Sequence, residues 1–208
     1  MNATLRYLAL GDSYTIGEGI AEPARWPNRL TRELNDRGIA IAPPRIIATT
    51  GWTCAELSAA MDEAEPLGTW DLVSLLIGVN DQYRGHGLDV FRPGFTGLLE
   101  RAIALAGNRT DRVFVLAIPD WSVTPFARDS GRELAAIANE LDAFNAFARD
   151  LCEARGVAFV DIAPVSRARG GEPRMIAEDG LHPSAELVEL WAGQALPRVL
   201  ELLSNPPT

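Results

Sequence analysis

Five short apolar runs recur along the chain: Leu5–Leu10, Arg45–Ala48, Leu72–Ile77, Arg112–Ile118 and Ala158–Ile162. Each is followed by a turn and a longer segment in which apolar residues return every three or four positions, the alternation of an α/β protein with a parallel sheet. Most of the runs are almost continuously apolar, as strands covered on both faces are. The predicted helices are Pro27 to Arg37 with Gly38 as its stop, Thr53 to Ala64, Phe95 to Ala106, Arg132 to Arg155 with Gly156 after it, and Ser184 to Leu203. In the fourth, Leu134, Ile137, Ala138, Leu141, Phe144, Ala148 and Leu151 form one stripe, read as a core face. Short connections between five parallel strands favour a three-layer α/β/α sandwich with the flavodoxin-like strand order 2-1-3-4-5.

That topology places a ligand site at the strand C-termini. The segments there are Gly11-Asp12-Ser13, Thr49-Thr50-Gly51, Gly78-Val79-Asn80-Asp81 and Pro119-Asp120-Trp121, where polar residues and glycines concentrate. No repeat or long linker divides the chain, so residues 1–208 are expected to form a single domain. The tail Ser204-Asn205-Pro206-Pro207-Thr208 is expected to fray.

With 208 residues, 47% hydrophobic and 23% charged, the composition is that of a compact globular chain whose core needs no disulfide or metal staple. A net charge of −9 without any basic run excludes a general nucleic-acid binder. Cys54 and Cys152 belong to no C-x-x-C pair and read as buried free thiols. No signal peptide is readable at the start, and no window has the length and apolarity of a membrane span, so the expected location is the cytoplasm.

A catalytic serine needs a base, a partner for that base and donors for the developing oxyanion. Ser13 follows an apolar strand at a strand-to-helix turn, although Gly-Asp-Ser alone also reads as an ordinary turn. Of the two histidines, His182 in Asp179-Gly180-Leu181-His182-Pro183-Ser184 has a carboxylate three residues earlier that can fold back onto its ring. The same stretch also reads as a capping turn before the last helix. His86, flanked by Gly85 and Gly87, reads as a solvated or rim residue. Asn80 and Gly51 offer a side-chain amide and a backbone N–H at strand ends, where such residues also simply build turns.

Taken together, in this order, these segments resemble the blocks of the SGNH hydrolases, the GDSL esterase/lipase family: Gly11-Asp12-Ser13-Tyr14, then Gly51, then Gly78-Val79-Asn80-Asp81, then Asp179-Gly180-Leu181-His182-Pro183. Tyr14 departs from the leucine of the name-giving motif. The resemblance implies that Ser13 is nucleophile and first oxyanion donor, Gly51 and Asn80 the other donors, His182 the base and Asp179 its orienting partner. It implies two-step acyl transfer on a small-molecule ester, with no metal and no other cofactor. The expected activity is a serine esterase or lipase acting on small or short-acyl esters. Carbohydrate O-deacetylase, lysophospholipase or thioesterase activity, and a non-catalytic binding module on the same fold, are the alternatives. A flavodoxin-like nucleotide binder fits the strand order but lacks a G-x-G-x-x-G loop after the first strand. Trp26, Trp52, Tyr83, Arg84, Trp121 and Phe126 are expected in or near the loops around the cleft.

Overall fold

The computed structural model describes residues 4–204. Five parallel strands, β1 (Tyr7–Gly11), β2 (Arg45–Ala48), β3 (Leu72–Leu76), β4 (Val113–Leu116) and β5 (Ala158–Val160), pair in the order β2-β1-β3-β4-β5. All five predicted strands form, β2 with the predicted bounds and the other four displaced or shortened at their ends; Leu5 contributes an isolated bridge to Ile41 instead of strand. The central strands β1 and β3 are buried along their whole length. Helices cover both faces, so neither strand has a polar side to show in its sequence. Gly11 at the end of β1 lies level with Ala48 of β2 and Leu76 of β3, so three strands finish together.

The helices are α1 (Ser13–Ile16), α2 (Trp26–Asp36), α3 (Cys54–Glu63), α4 (Val79–Tyr83) and α5 (Leu88–Leu105) in the first half. The second half adds α6 (Pro125–Asp129), α7 (Leu134–Arg155), α8 (Ala163–Arg169) and α9 (Ala185–Ser204). α2 packs on α9, while α3, α5 and α7 lie side by side, and these two layers enclose the sheet. Among the described residues no helix is long and apolar enough to cross a membrane. Ser204 closes α9, and the rest of the tail expected to fray lies outside the described residues.

Two helix readings change. α5 begins at Leu88 rather than Phe95, running through Pro93, whose interior position costs about 3 kcal/mol. What offsets that cost is Phe91, fully buried and stacked on Phe144 of α7 with ring centroids 4.3 Å apart. On α7, Ile137, Leu141, Phe144 and Ala148 are buried as the stripe predicts, but Leu134 in the first turn stays 39% exposed. Asn145 joins that face as a buried polar residue: its Oδ1 accepts from Ile118 N at 2.7 Å and its Nδ2 donates to Ile118 O at 2.9 Å. It thus satisfies the backbone just past the end of β4, where no strand does. Both cysteines are free and buried, and burial pushes the Cys152 thiol up to about 12.

The turn from β1 into α1 carries a buried acid. Asp12 caps α1, its Oδ1 accepting from Tyr14 N at 3.0 Å. It is wholly buried, and its Oδ2 has no protein partner among the described residues. Burial pushes this carboxyl up to about 8 despite the Tyr14 N–H, and the nearby Asp81 charge pushes the same way. Because the folded-state value lies above the unfolded value of 3.8, the neutral carboxyl contributes stability that is complete below the unfolded value and lost as pH rises through the folded one. Urea denaturation of wild type and Asp12→Asn should therefore show the wild type losing stability relative to the variant as pH rises from about 4 to about 8. Parallel curves across that window would contradict a neutral Asp12 in the folded state.

Candidate active site

Ser13 is the first residue of α1, immediately beyond β1. The chain turns there within one residue because Gly11 has no side chain: a Cβ on it would lie 2.5 Å from the Leu76 carbonyl. Asp12 caps the Tyr14 N–H, and Gly17 and Glu18 both donate their N–H to the Ser13 carbonyl, closing the turn. The Ser13 N–H itself has no acceptor among the described residues.

Gly51 follows β2 at φ 88°, a left-handed conformation that favours glycine. Its N–H likewise has no acceptor among the described residues, whereas its carbonyl accepts from Arg84 Nη2 at 2.5 Å. Asn80 lies in the first turn of α4 rather than at a strand end. Gly78 precedes it at φ 122°, and a Cβ there would meet Phe91 at 2.5 Å, so glycine is the residue that fits. One proton of Asn80 Nδ2 is used on the Trp52 carbonyl at 2.9 Å; an amide carries two, which leaves one to donate. Asp81 next to it turns away, and its Oδ2 accepts from Cys54 N at the start of α3 at 2.9 Å.

His182 sits in a turn held from several directions. Asp179 Oδ1 accepts the Leu181 and His182 N–H groups, each at 2.9 Å, and its Oδ2 lies 2.5 Å from His182 Nδ1. Ala177 N donates to the His182 carbonyl, and Phe126 N donates to that of Gly180, itself at φ 73°. Burial pulls the Asp179 carboxyl upward, but the hydrogen bonds from His182 and the two backbone N–H groups outweigh it and hold the acid below its ordinary range. An ionised Asp179 fixes the Nδ1–H tautomer, so Nε2 is the nitrogen left to accept a proton. The edge of Tyr14 lies against the imidazole with centroids 6.0 Å apart and against Trp191 at 5.8 Å. The tyrosine that replaces leucine in the motif therefore braces the histidine ring.

Ser13, Gly51, Asn80 and His182 all line one cavity of about 160 Å³ at the C-terminal ends of the strands. Ser13 is 4% exposed and His182 9%. Tyr83, Trp121 and Phe126 form an aromatic wall across the cavity, their ring centroids 5.7 to 6.1 Å apart. Trp121 is fixed by its Nε1 donating to Gln82 Oε1 at 2.9 Å. Three other residues expected near the cleft do different work. Trp26 is fully buried, edge-on to Phe114 at 6.2 Å, because the first turn of α2 faces the core. Trp52 contributes its carbonyl to Asn80, and Arg84 reaches Gly51 and Glu56. His86, read as a solvated or rim residue, has a half-exposed side chain whose Nδ1 lies 3.4 Å from Asp81 Oδ1. Among the described residues no group of three or more His, Cys, Asp or Glu side chains comes together as a metal site.

The supports of the 50–53 loop escape the sequence reading: Glu18 binds Thr50, and Glu56 accepts from Thr53 N at 2.8 Å. Only the second leaves a signal, the capping-box spacing of Thr53 and Glu56.

No curated protein matches the chain in sequence. Among solved structures, TesA superposes with a TM-score of 0.74 at 20% identity, over 95% of this chain and 99% of that one. The lipase/acylhydrolase from Enterococcus faecalis gives 0.71 at 20% identity, over 94% and 95%. A mutant of Axe2, an acetyl-xylooligosaccharide esterase from Geobacillus, gives 0.71 at 20% identity, over 94% of each chain. These likenesses show a shared fold. The sequence profile of the GDSL-like Lipase/Acylhydrolase family matches residues 9–190, a span that includes all four segments gathered at the cavity, and the chain belongs to that family.

Proposed function

We propose that the protein is a serine hydrolase of small, uncharged carboxylic esters, with Ser13 as nucleophile, His182 as base and Asp179 as its orienting partner. The observation that carries this reading is that one cavity collects Ser13, His182 and Asn80 beside two backbone N–H groups, of Ser13 and Gly51, that have no acceptor among the described residues. In the first step Ser13 Oγ attacks the ester carbonyl while His182 Nε2 takes its proton. The charge that develops on the carbonyl oxygen is met by the Ser13 and Gly51 N–H groups and the second Asn80 amide proton. His182 then protonates the departing alcohol, and water, deprotonated by the same nitrogen, releases the acid from the acyl-enzyme.

The lining favours uncharged substrates. Apart from His182 it contains no ionisable side chain of Asp, Glu, Lys or Arg, and the aromatic wall faces the reacting groups. A phosphate-bearing leaving group would find no counter-charge among these residues, and a volume of about 160 Å³ suits a short acyl chain. One observation favours a second reading, deacetylation of a sugar: Tyr83 is 49% exposed at the cavity, an aromatic face on which a pyranose ring can stack.

Hydrolysis of p-nitrophenyl acetate, butyrate and octanoate tests the reading: acetate and butyrate should turn over faster than octanoate, and Ser13→Ala and His182→Ala should abolish activity while remaining folded. A wild type that cleaves acetylated xylo-oligosaccharides and ignores the aryl esters would establish the second reading, and one inert toward both would refute the hydrolase.

The donors and the orienting acid differ in their expected signatures. Asn80→Ala should lower kcat by about 10²- to 10³-fold. Asp179→Asn should lower it by about 10⁴-fold, because an amide selects the wrong imidazole tautomer. Since the Asp179 carboxyl is held below its unfolded value of 3.8, its contribution to stability is present above that value and lost as pH falls through the folded one. The stability difference between wild type and Asp179→Asn, followed by chemical denaturation, should accordingly shrink in acid and hold steady toward neutrality.

A further inference from the structure

We infer that Arg84 is a positioning residue for the oxyanion hole, locking the Gly51 peptide to the helix that carries Asn80. The inference rests on the reading of Gly51 and Asn80 as oxyanion donors and adds a residue to it. Arg84 lies one turn beyond Asn80 at the end of α4, and its own N–H donates to the Asn80 carbonyl at 3.0 Å. Its guanidinium leaves that helix and crosses to the loop after β2. There Nη2 donates to the Gly51 carbonyl at 2.5 Å, while Nη1 pairs with Glu56 Oε1 in the first turn of α3 at 3.1 Å.

The loop needs such a hold. Thr50 and Gly51 belong to no helix or strand, and a glycine at φ 88° retains the greatest freedom of any residue to rotate its peptide planes. The Gly51 N–H stabilises an oxyanion only if it points into the cavity beforehand, because a donor that must swing into place gives up the advantage of preorganisation. Gripping the Gly51 carbonyl fixes one side of that residue, and the neighbours are tied in turn. Thr50 is bound by Glu18, whose N–H donates to the Ser13 carbonyl at 3.0 Å. The Trp52 carbonyl is held by Asn80, and Thr53 by Glu56. All three donors are thereby joined through hydrogen bonds, and among the described residues Arg84 bridges Asn80's helix, Gly51 and Glu56. Arginine suits the task because its planar fork serves two acceptors at once, where a lysine ammonium on its flexible stem holds one less rigidly.

The Arg84 side chain is 44% exposed, and a surface ion pair such as that with Glu56 contributes little to global stability. The variants Arg84→Met and Arg84→Lys are therefore suited to kinetics. In Arg84→Met, kcat for p-nitrophenyl acetate should fall by about tenfold to hundredfold with KM unchanged and the melting temperature close to wild type; Arg84→Lys should recover part of the loss. A kcat for Arg84→Met within about twofold of wild type would overturn the assignment, as would a loss explained wholly by a smaller folded fraction. Should the wild type cleave no ester at all, the hydrolase reading fails rather than the clamp. The clamp is then decided by ¹⁵N relaxation of the Gly51 amide: greater mobility in Arg84→Met supports it, and identical relaxation overturns it.

Discussion

The close approach of two strand ends underlies the site. β1 and β3 are neighbours although β2 separates them in sequence, and their register brings Gly11 level with Leu76. At that point the backbones are so near that even a methyl group on Gly11 would press on the Leu76 carbonyl. Ser13 and Asn80 depend on this contact, since each lies a few residues beyond one of the two strands. The crossover order decides which chain segments can meet, and the missing side chain at Gly11 decides how near.

The same turn carries a cost to stability. Asp12 gives α1 its cap through the Tyr14 N–H, but it is sealed from solvent, and its Oδ2 has no partner among the described residues. A carboxylate so placed is held neutral well above its ordinary range, with Asp81 opposing its ionisation further. A buried acid of this kind is a local conflict between capping the helix and burying a charge. By contrast the supports of the 50–53 loop lie at the surface, where polar bonds hold geometry at little expense or gain in stability.

The histidine turn follows a third logic. Asp179 uses both carboxylate oxygens, one on two backbone N–H groups and one on the imidazole, so a single side chain shapes the turn and orients the ring. Tyr14 bridges from α1 to the imidazole edge and to Trp191 of α9. α1 and α9, remote in sequence, are thereby brought together by packing.

Much of this was legible in the sequence because it depends on local composition. Five apolar runs specify strands buried on both faces, and the flanking glycines and helical periods specify the crossovers; the strand order followed from the few topologies these allow. The Asp179–His182 pairing was legible for the same reason, as it spans a single turn. Tertiary packing decided what the local signals could not. It carried α5 through Pro93, because Phe91 gains a stacking partner on a helix far along the chain. It drew Trp26 into the core and raised the Asp12 carboxyl, since neither burial nor a charge on Asp81 is visible from the Gly-Asp-Ser tripeptide. And it gave Arg84 two acceptors some thirty residues away, one on the loop after β2 and one in the first turn of α3. Sequence patterns encode what a residue does to its own backbone and to the next turn of chain; which distant groups then lie within hydrogen-bonding reach is set by how the layers close upon one another.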